Sequence, residues 1–308
     1  MLVSDFDYHL PDDLIAQKPA GKRDLSRLLV LDRTAESYFD SVFDQLPNHL
    51  QRGDVLVLNN TRVCPARLIG RRVKVLRSAE PAKPASSNPR DEIGSSARGA
   101  RVEIFLVREV EPLVWEALVR PGRALPIGAT IEFGESELTG EIVERFDSGR
   151  RLIRFQPRYD FDRVIDRIGQ TPLPPYIKRP EVNDDQLRLD AERYQTVYAT
   201  ARGAIAAPTA GLHFTPELLD CLRANGVEIV EITLHVGYGT FQPVRVETVE
   251  DHKVEPETYT ITDDVAVRLN RALAERRRVI AVGTTTTRAL ESAAIRGEIP
   301  GSSSQSTT

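Results

Sequence analysis

Between residues 62 and 156 the apolar pattern is cut into short alternating runs, at 63–69, 73–76, 102–107, 113–119, 130–133, 138–143 and 152–155. No helical period interrupts them, and turn signals such as Arg120-Pro121-Gly122 and Gly134 stand between them. Apolar side chains two residues apart cover one face of a pleated strand, so the stretch is predicted to form a small antiparallel barrel or sandwich. Residues 78–101 carry Ser, Pro, Ala and charge with almost no large apolar side chain, and read as a disordered hairpin extension.

Outside that stretch the signals are mixed. A short helix is expected near 11–15, a strand at 27–31 and an apolar strand at 54–58; helical periodicity returns at 161–168 and is followed by the proline-dense connector Pro172-Leu173-Pro174-Pro175-Tyr176. A helix at 191–199 bears Tyr194, Gln195 and Tyr198. An amphipathic helix at 263–276, capped by Thr262, precedes a strand at 279–282 and a helix running through Ala294. The Gly- and Ser-rich tail from 297 to 308 is expected to be disordered.

With 308 residues, 41% of them hydrophobic, the chain buries a full core and is long enough for two domains. No apolar run approaches the roughly 20 residues of a membrane span, and the amino terminus is acidic where a signal peptide would be basic, which reads as cytoplasmic with no membrane partner. Cys64 and Cys221 lie among apolar neighbours and are expected as packed free thiols. No metal-ligand spacing occurs. The net charge of −4 argues against indiscriminate nucleic-acid binding. Yet Arg62, Arg67, Arg71, Arg72, Lys74 and Arg77 follow one another without an acid, either as a solvated basic strand face or as a phosphate contact.

Residues 204–244 hold the densest chemistry. An apolar run at 204–207 stops at Pro208, a loop containing Gly211 follows, and Thr215-Pro216-Glu217 supplies a cap, a first-turn proline and an early acid for a helix ending at Gly226. The alternating stretch 227–234 is the next buried strand. A crossover of this length predicts parallel strands, and ligands collect at the edges where such loops emerge. His213 after the first strand and His235 after the second are thus expected at one edge, beside Gly237-Tyr238-Gly239-Thr240. Elsewhere, the loop Gly21 to Arg27 offers cations and a hydroxyl, and Asn59-Asn60-Thr61-Arg62 is a turn with amides that bond nearby backbone. Gly283 followed by Thr284, Thr285, Thr286, Thr287 and Arg288 opens a helix with unpaired amides, a natural anion or ribose site.

These segments resemble the S-adenosylmethionine:tRNA ribosyltransferase-isomerase family of queuosine biosynthesis. The resemblance runs from about Phe6 to Ser292 and rests on RDLSRLL at 23–29, LNNTRVCPARL at 58–68, LVRPG at 118–122, LPPYIKR at 173–179, RYQTVYA at 193–199, APTAGLHFT at 207–215, LHVGYGTFQPV at 234–244 and VGTTTTRALES at 282–292, in the family's order. It implies an α/β protein, a mixed α/β domain (1–60 and 157–308) with an inserted antiparallel β-barrel domain (61–156). It further implies transfer and isomerisation of the ribosyl moiety of S-adenosylmethionine, a co-substrate, onto 7-aminomethyl-7-deazaguanine in tRNA. Epoxyqueuosine forms, and adenine and methionine leave, with no metal and a monomeric enzyme expected.

That chemistry needs a base for the ribose carbon beside the sulfonium and an acid for the departing adenine, roles that His213 and His235 are expected to divide in either order. Substrate contacts are expected from Arg23, Arg27, Asn60, Arg62, Thr209, Gly211, Phe214, Gly237, Gly239, Thr240, Phe241, Gly283, Thr284, Thr285 and Arg288, the glycines because backbone there approaches a flat purine or a ribose. The family continues past the Ser292 region with a TNFHLPKSTL-like motif that this chain lacks, so a tRNA-binding protein without turnover is the alternative. A methyltransferase is a second rival, disfavoured because no third glycine opens a helix after Gly239.

Overall fold

The computed structural model describes residues 1–73, 99–122, 125–179, 183–294, 299–301 and 305–307. Most of the expected hairpin extension at 78–101 therefore lies outside the described residues. By contact the chain divides into one unit of Met1–Cys64 with Thr171–Thr308 and a second of Pro65–Gln170.

In chain order, the first unit opens with a hairpin of β1 (Arg27–Asp32) and β2 (Ser37–Val42), then β3 (Val55–Asn59) and β4 (Thr61–Val63). The second unit holds β5 (Arg67–Arg72), β6 (Arg101–Glu111), β7 (Val114–Arg120), β8 (Thr130–Phe133), β9 (Leu138–Arg145), β10 (Arg150–Pro157) and helix α1 (Phe161–Ile168). The first unit then resumes with α2 (Asp184–Arg193), β11 (Ala201–Ala204), α3 (Pro216–Ala224), β12 (Glu228–Leu234), β13 (Thr258–Thr260), α4 (Asp263–Ala274), β14 (Val279–Ala281), α5 (Thr284–Ala294) and β15 (Gln305–Ser306).

The second unit is the expected antiparallel barrel, closed in the order β10-β7-β6-β5-β8-β9. Its alternation is regular: Val102, Ile104 and Leu106 of β6 point inward and are buried while Arg101, Glu103 and Phe105 do not. Helix α1 belongs with it, since Val164 and Ile165 pack into the same core as Phe133 and Phe155.

The first unit is organised by β3, which is flanked on both sides by parallel partners in a five-stranded sheet ordered β14-β3-β12-β13-β15. A central parallel strand is covered on both faces, which requires an uninterrupted apolar sequence. Val55 and Val57 pack with α4 and α5 through Leu269, Ala272 and Ala289, while Leu56 and Leu58 meet Leu218 and Leu222 of α3 together with Phe43 and Phe214.

Several expectations are corrected. Strands β11 and β12 do not share a sheet: β11 pairs in parallel with β4, and the parallel neighbour of β12 is β3. The run at 204–207 is buried throughout but leaves the strand at Ala204, because apolarity marks burial and not pairing. The helix expected at 191–199 lies instead at 184–193, started by Asn183, whose Oδ1 accepts from the Gln186 N–H at 2.8 Å. Tyr194 and Tyr198 fall in the buried turn beyond it. Thr262 stands at the start of α4 without a side-chain bond, and the short helix near 11–15 is a 3-10 turn at Asp12–Leu14. The tail is not disordered where it is described, since β15 pairs with β13 and Thr307 is buried. Both cysteines are free, but Cys221 is exposed and not packed.

The edge of β3 is anchored by Asp54, which is 1% exposed and accepts from Arg278 Nε at 2.9 Å and from the Gln51 N–H at 2.7 Å. Burial pushes its carboxyl up, but those bonds and the nearby Arg278 and Arg277 charges outweigh it and hold it below the ordinary value. Such a group stabilises the fold above its unfolded pKa of about 3.9, and the contribution disappears as pH falls through the lower folded value. Asp54→Asn is expected to lose about 2 kcal/mol in urea unfolding at neutral pH, with the gap to the unmutated chain closing in acid. A gap independent of pH would contradict the ion-pair account.

Candidate active site

The first unit carries a cavity of about 650 Å³. One wall is Ala206, Ala207, Pro208, Thr209 and Ala210, a second is Val236 with Thr240 to Pro243, and a third is Gly283, Thr284 and Thr285 at the start of α5. Pro174, Pro175, Tyr176 and Tyr194 complete it, so that the expected connector lines the space. No described lining residue carries a formal charge. The volume falls in the range of small-molecule sites, and the amides of the first turn of α5 give one polar end to a mostly apolar space.

The walls are held by side chains whose hydrogen bonds are fully engaged. Asn59, wholly buried at the end of β3, donates from Nδ2 to the Leu234 carbonyl at 3.0 Å and to Thr285 Oγ1 at 3.3 Å, while its Oδ1 accepts from the Leu234 N–H at 3.0 Å and the Thr61 N–H at 3.2 Å. One amide thus joins two strands to the helix start. On the far side Glu257, also buried, accepts from the Gly237 N–H at 2.7 Å and from Arg288 at 2.7 Å, tying the glycine turn to α5. Arg288 donates further to the Glu255 carbonyl.

His235 follows β12 directly, and its Nδ1 lies 2.8 Å from Thr61 Oγ1. Gly203 adopts a φ of +148°, and a Cβ built there would stand 2.7 Å from His235 Nδ1, so this position must be glycine to leave room for the imidazole. His213 ends the 3-10 turn Thr209–His213, its ring 5.2 Å from that of Phe43. Burial lowers the pKa of both histidines; at His213 the bond with the Arg23 backbone opposes this and the Arg23 charge adds to it. The neutral form of both imidazoles is thereby favoured. Neither ring lines the cavity, although each sits in a segment whose neighbours do.

Of the other expected contacts, Thr209, Thr240, Phe241, Gly283, Thr284 and Thr285 line the cavity together. The remainder lie elsewhere. Arg23 is half-buried and spends its guanidinium on the carbonyls of Glu192, Arg193 and Leu212, which fixes the turn bearing His213. Arg27 pairs with Asp40 on the exposed hairpin, and Arg62 is exposed. Asn60 binds Glu231 and Thr233 side chains, while Phe214 is buried edge-on against Phe43. Gly237 and Gly239 have room for a Cβ, at 3.7 Å and 3.8 Å from the nearest side-chain atoms of Glu257 and Glu255.

Gly203 and Glu257 were not singled out by the sequence, and Asn59 and Thr61 were read only as part of a turn and not as site residues. Only Asn59 left a usable signal, a polar residue closing an otherwise apolar buried strand. The partners of Thr61 and Glu257 are set by tertiary structure alone.

Among the described residues no group of His, Cys, Asp or Glu is placed to hold a metal ion, and no helix is long and apolar enough to cross a membrane.

Gly211 is buried, and a Cβ there would collide with Tyr198 Oη and stand 2.9 Å from Thr196 Cγ2. Gly211→Ala is expected to cost about 1–3 kcal/mol in urea unfolding. Adding Tyr198→Phe, which removes a buried hydroxyl without a hydrogen-bond partner among the described residues, is expected to recover part of the loss. A double variant no more stable than Gly211→Ala would show that the collision is not the cause.

The family model described as queuosine biosynthesis protein matches residues 3–308. The S-adenosylmethionine:tRNA ribosyltransferase-isomerase of Desulfitobacterium hafniense is 49% identical over 294 residues, 96% of this chain and 77% of that protein. The protein of the same name from Solibacter usitatus is 47% identical over 98% of this chain and 81% of its own length. A crystal structure of S-adenosylmethionine tRNA ribosyltransferase from Thermotoga maritima is 29% identical, covering 99% of this chain and 77% of that one, with a TM-score of 0.41.

Proposed function

We propose, on the premise that this chain belongs to the queuosine biosynthesis protein family, that it transfers and isomerises the ribosyl moiety of S-adenosylmethionine onto 7-aminomethyl-7-deazaguanine in tRNA, releasing adenine and methionine. The observation that carries this reading is the uncharged cavity with a threonine-rich helix start on one wall and the turn after His235 on another. Ala206, Ala207, Pro208 and Phe241 offer the apolar surface a purine stacks on. The first turn of α5, with Thr284 and Thr285, takes the methionine carboxylate or the ribose hydroxyls. No described lining side chain carries a positive charge that would repel the sulfonium.

The chemistry is then divided between the two imidazoles. Removing a proton from the ribose carbon beside the sulfonium requires an unprotonated ring nitrogen, and burial supplies that form at neutral pH for both His213 and His235. Protonating adenine as it leaves is the complementary task and requires an imidazolium, the form a histidine reaches once it has taken up the ribose proton. Arg23 positions the His213 turn through its carbonyl bonds, and Arg288 positions the glycine turn through Glu257. Arg27 and Arg62, both exposed in the first unit, meet tRNA phosphates in this reading, Arg27 in exchange for its Asp40 partner. The reading invokes no metal ion and places the reaction on a single chain in the cytoplasm.

The test is chromatographic detection of free adenine from the chain incubated with S-adenosylmethionine and tRNA bearing 7-aminomethyl-7-deazaguanine. Release is expected with that tRNA and not with unmodified tRNA. His213→Ala and His235→Ala are each expected to lower it by about 10²–10⁴-fold. Because both pKa values are lowered, the rate should hold as pH drops to the ordinary imidazole value of about 6.5 and fail only below it. S-adenosylhomocysteine as product would establish methyl transfer instead, and bound tRNA without adenine would select a binding protein.

A further inference from the structure

The distance of 2.8 Å between His235 Nδ1 and Thr61 Oγ1 leaves open which atom donates, and that choice decides what His235 can do. Thr61 is wholly buried, so its hydroxyl has only protein partners. The second of these is the Ala201 carbonyl, 3.4 Å away. A hydroxyl has one proton and two lone pairs. If it donates to Nδ1, the ring proton lies on Nε2 and the Ala201 contact carries no hydrogen. If it donates to Ala201, it accepts from Nδ1–H, and both contacts become hydrogen bonds. In a buried site the arrangement that pairs more groups is favoured, since each unpaired one costs about 1–3 kcal/mol.

We propose that Thr61 holds His235 as the Nδ1–H tautomer, leaving Nε2 with a free lone pair, so that His235 is the base and Thr61 its positioning residue. Thr61 is not free to turn away, because its N–H is bound by Asn59 Oδ1 at 3.2 Å and its strand β4 is paired with β11 at Ala201. The same Asn59 side chain holds the N–H and the carbonyl of Leu234, the residue before His235. At Gly203, two residues past Ala201, a Cβ would fall within 3.0 Å of ring atoms Nδ1, Cε1 and Cγ, so the glycine leaves the imidazole room on that side. The imidazole is thus fixed from its Nδ1 side, with its other nitrogen left for chemistry. In the reaction proposed above, Nε2 takes the proton from the ribose carbon beside the sulfonium, the carbon keeps the electron pair, and the ring becomes an imidazolium with both nitrogens protonated. Thr61 remains an acceptor toward Nδ1–H throughout, so it stabilises that cation without moving a proton.

This assignment rests on the ribosyl-transfer reading, but its first test does not. Long-range proton–nitrogen correlation on protein labelled with ¹⁵N-histidine, with the His235 signals identified by their loss in His235→Gln, reports which ring nitrogen is protonated in the free chain. Nε2 is expected unprotonated and Nδ1 protonated; the reverse would overturn the proposal. Thr61→Val keeps the volume and removes the hydroxyl, and is expected to lose that preference and to lower kcat for adenine release by at least about tenfold, with KM for S-adenosylmethionine little changed. Thr61→Ser, which restores a hydroxyl in a smaller side chain, should rescue both readouts. Valine retaining the nitrogen pattern and kcat, or serine failing to rescue a valine loss, would overturn the proposal. Absence of adenine release from the unmutated chain would instead overturn the ribosyl-transfer reading, and the nitrogen shifts would still decide the tautomer.

Discussion

The carboxamide of Asn59 is the contact on which the site depends. It sits in the dry end of a strand buried on both faces, where an unpaired amide would cost several kcal/mol, and all its bonds are made within the protein. Those four bonds reach β12, Thr61 and Thr285 of α5. Through them, a single side chain sets the exit direction of β12, and so the place of His235, relative to the helix start that closes the cavity.

Around that centre, each mobile-looking segment is restrained by one long polar side chain. Arg23 binds the turn ending in His213, Glu257 binds the turn at Gly237, and Arg288 links Glu257 to α5. Loops carry the groups proposed to react, and strands and helices carry the restraints, which is how a rigid scaffold presents chemistry on its connections. Burial favours the neutral form of both imidazoles, and no described side chain lining the cavity carries a charge.

The barrel, the two-faced strand at 54–58 and the final strand-helix pair were legible in the sequence because each has a strong local period. What was not legible depended on pairing across the chain. The segment at 204–207 announced its burial but not that β11 would join β4, and the helix expected at 191–199 was displaced because Asn183 and two following aspartates carry the start signal. Of the site residues, those on the cavity wall had local signatures: the threonines after Gly283 and the turn after His235. Arg23 and Arg288 looked like ligand-binding cations, since an arginine's internal carbonyl or carboxylate partners leave no trace in its own neighbourhood of the sequence. Glycine was read as room for a ligand at 211, where the structure shows room for Tyr198.

Hydrogen exchange of Asn59→Asp tests the central role of this carboxamide most directly, because the substitution keeps the shape while replacing the donor to Leu234 and Thr285 with a carboxylate oxygen that cannot donate and carries charge into a buried site. Exchange is expected to quicken in peptides covering 232–240 and 283–289, while peptides covering 101–120 of the barrel keep their protection. Unchanged exchange at both segments, or an equal rise in the barrel, would contradict the account.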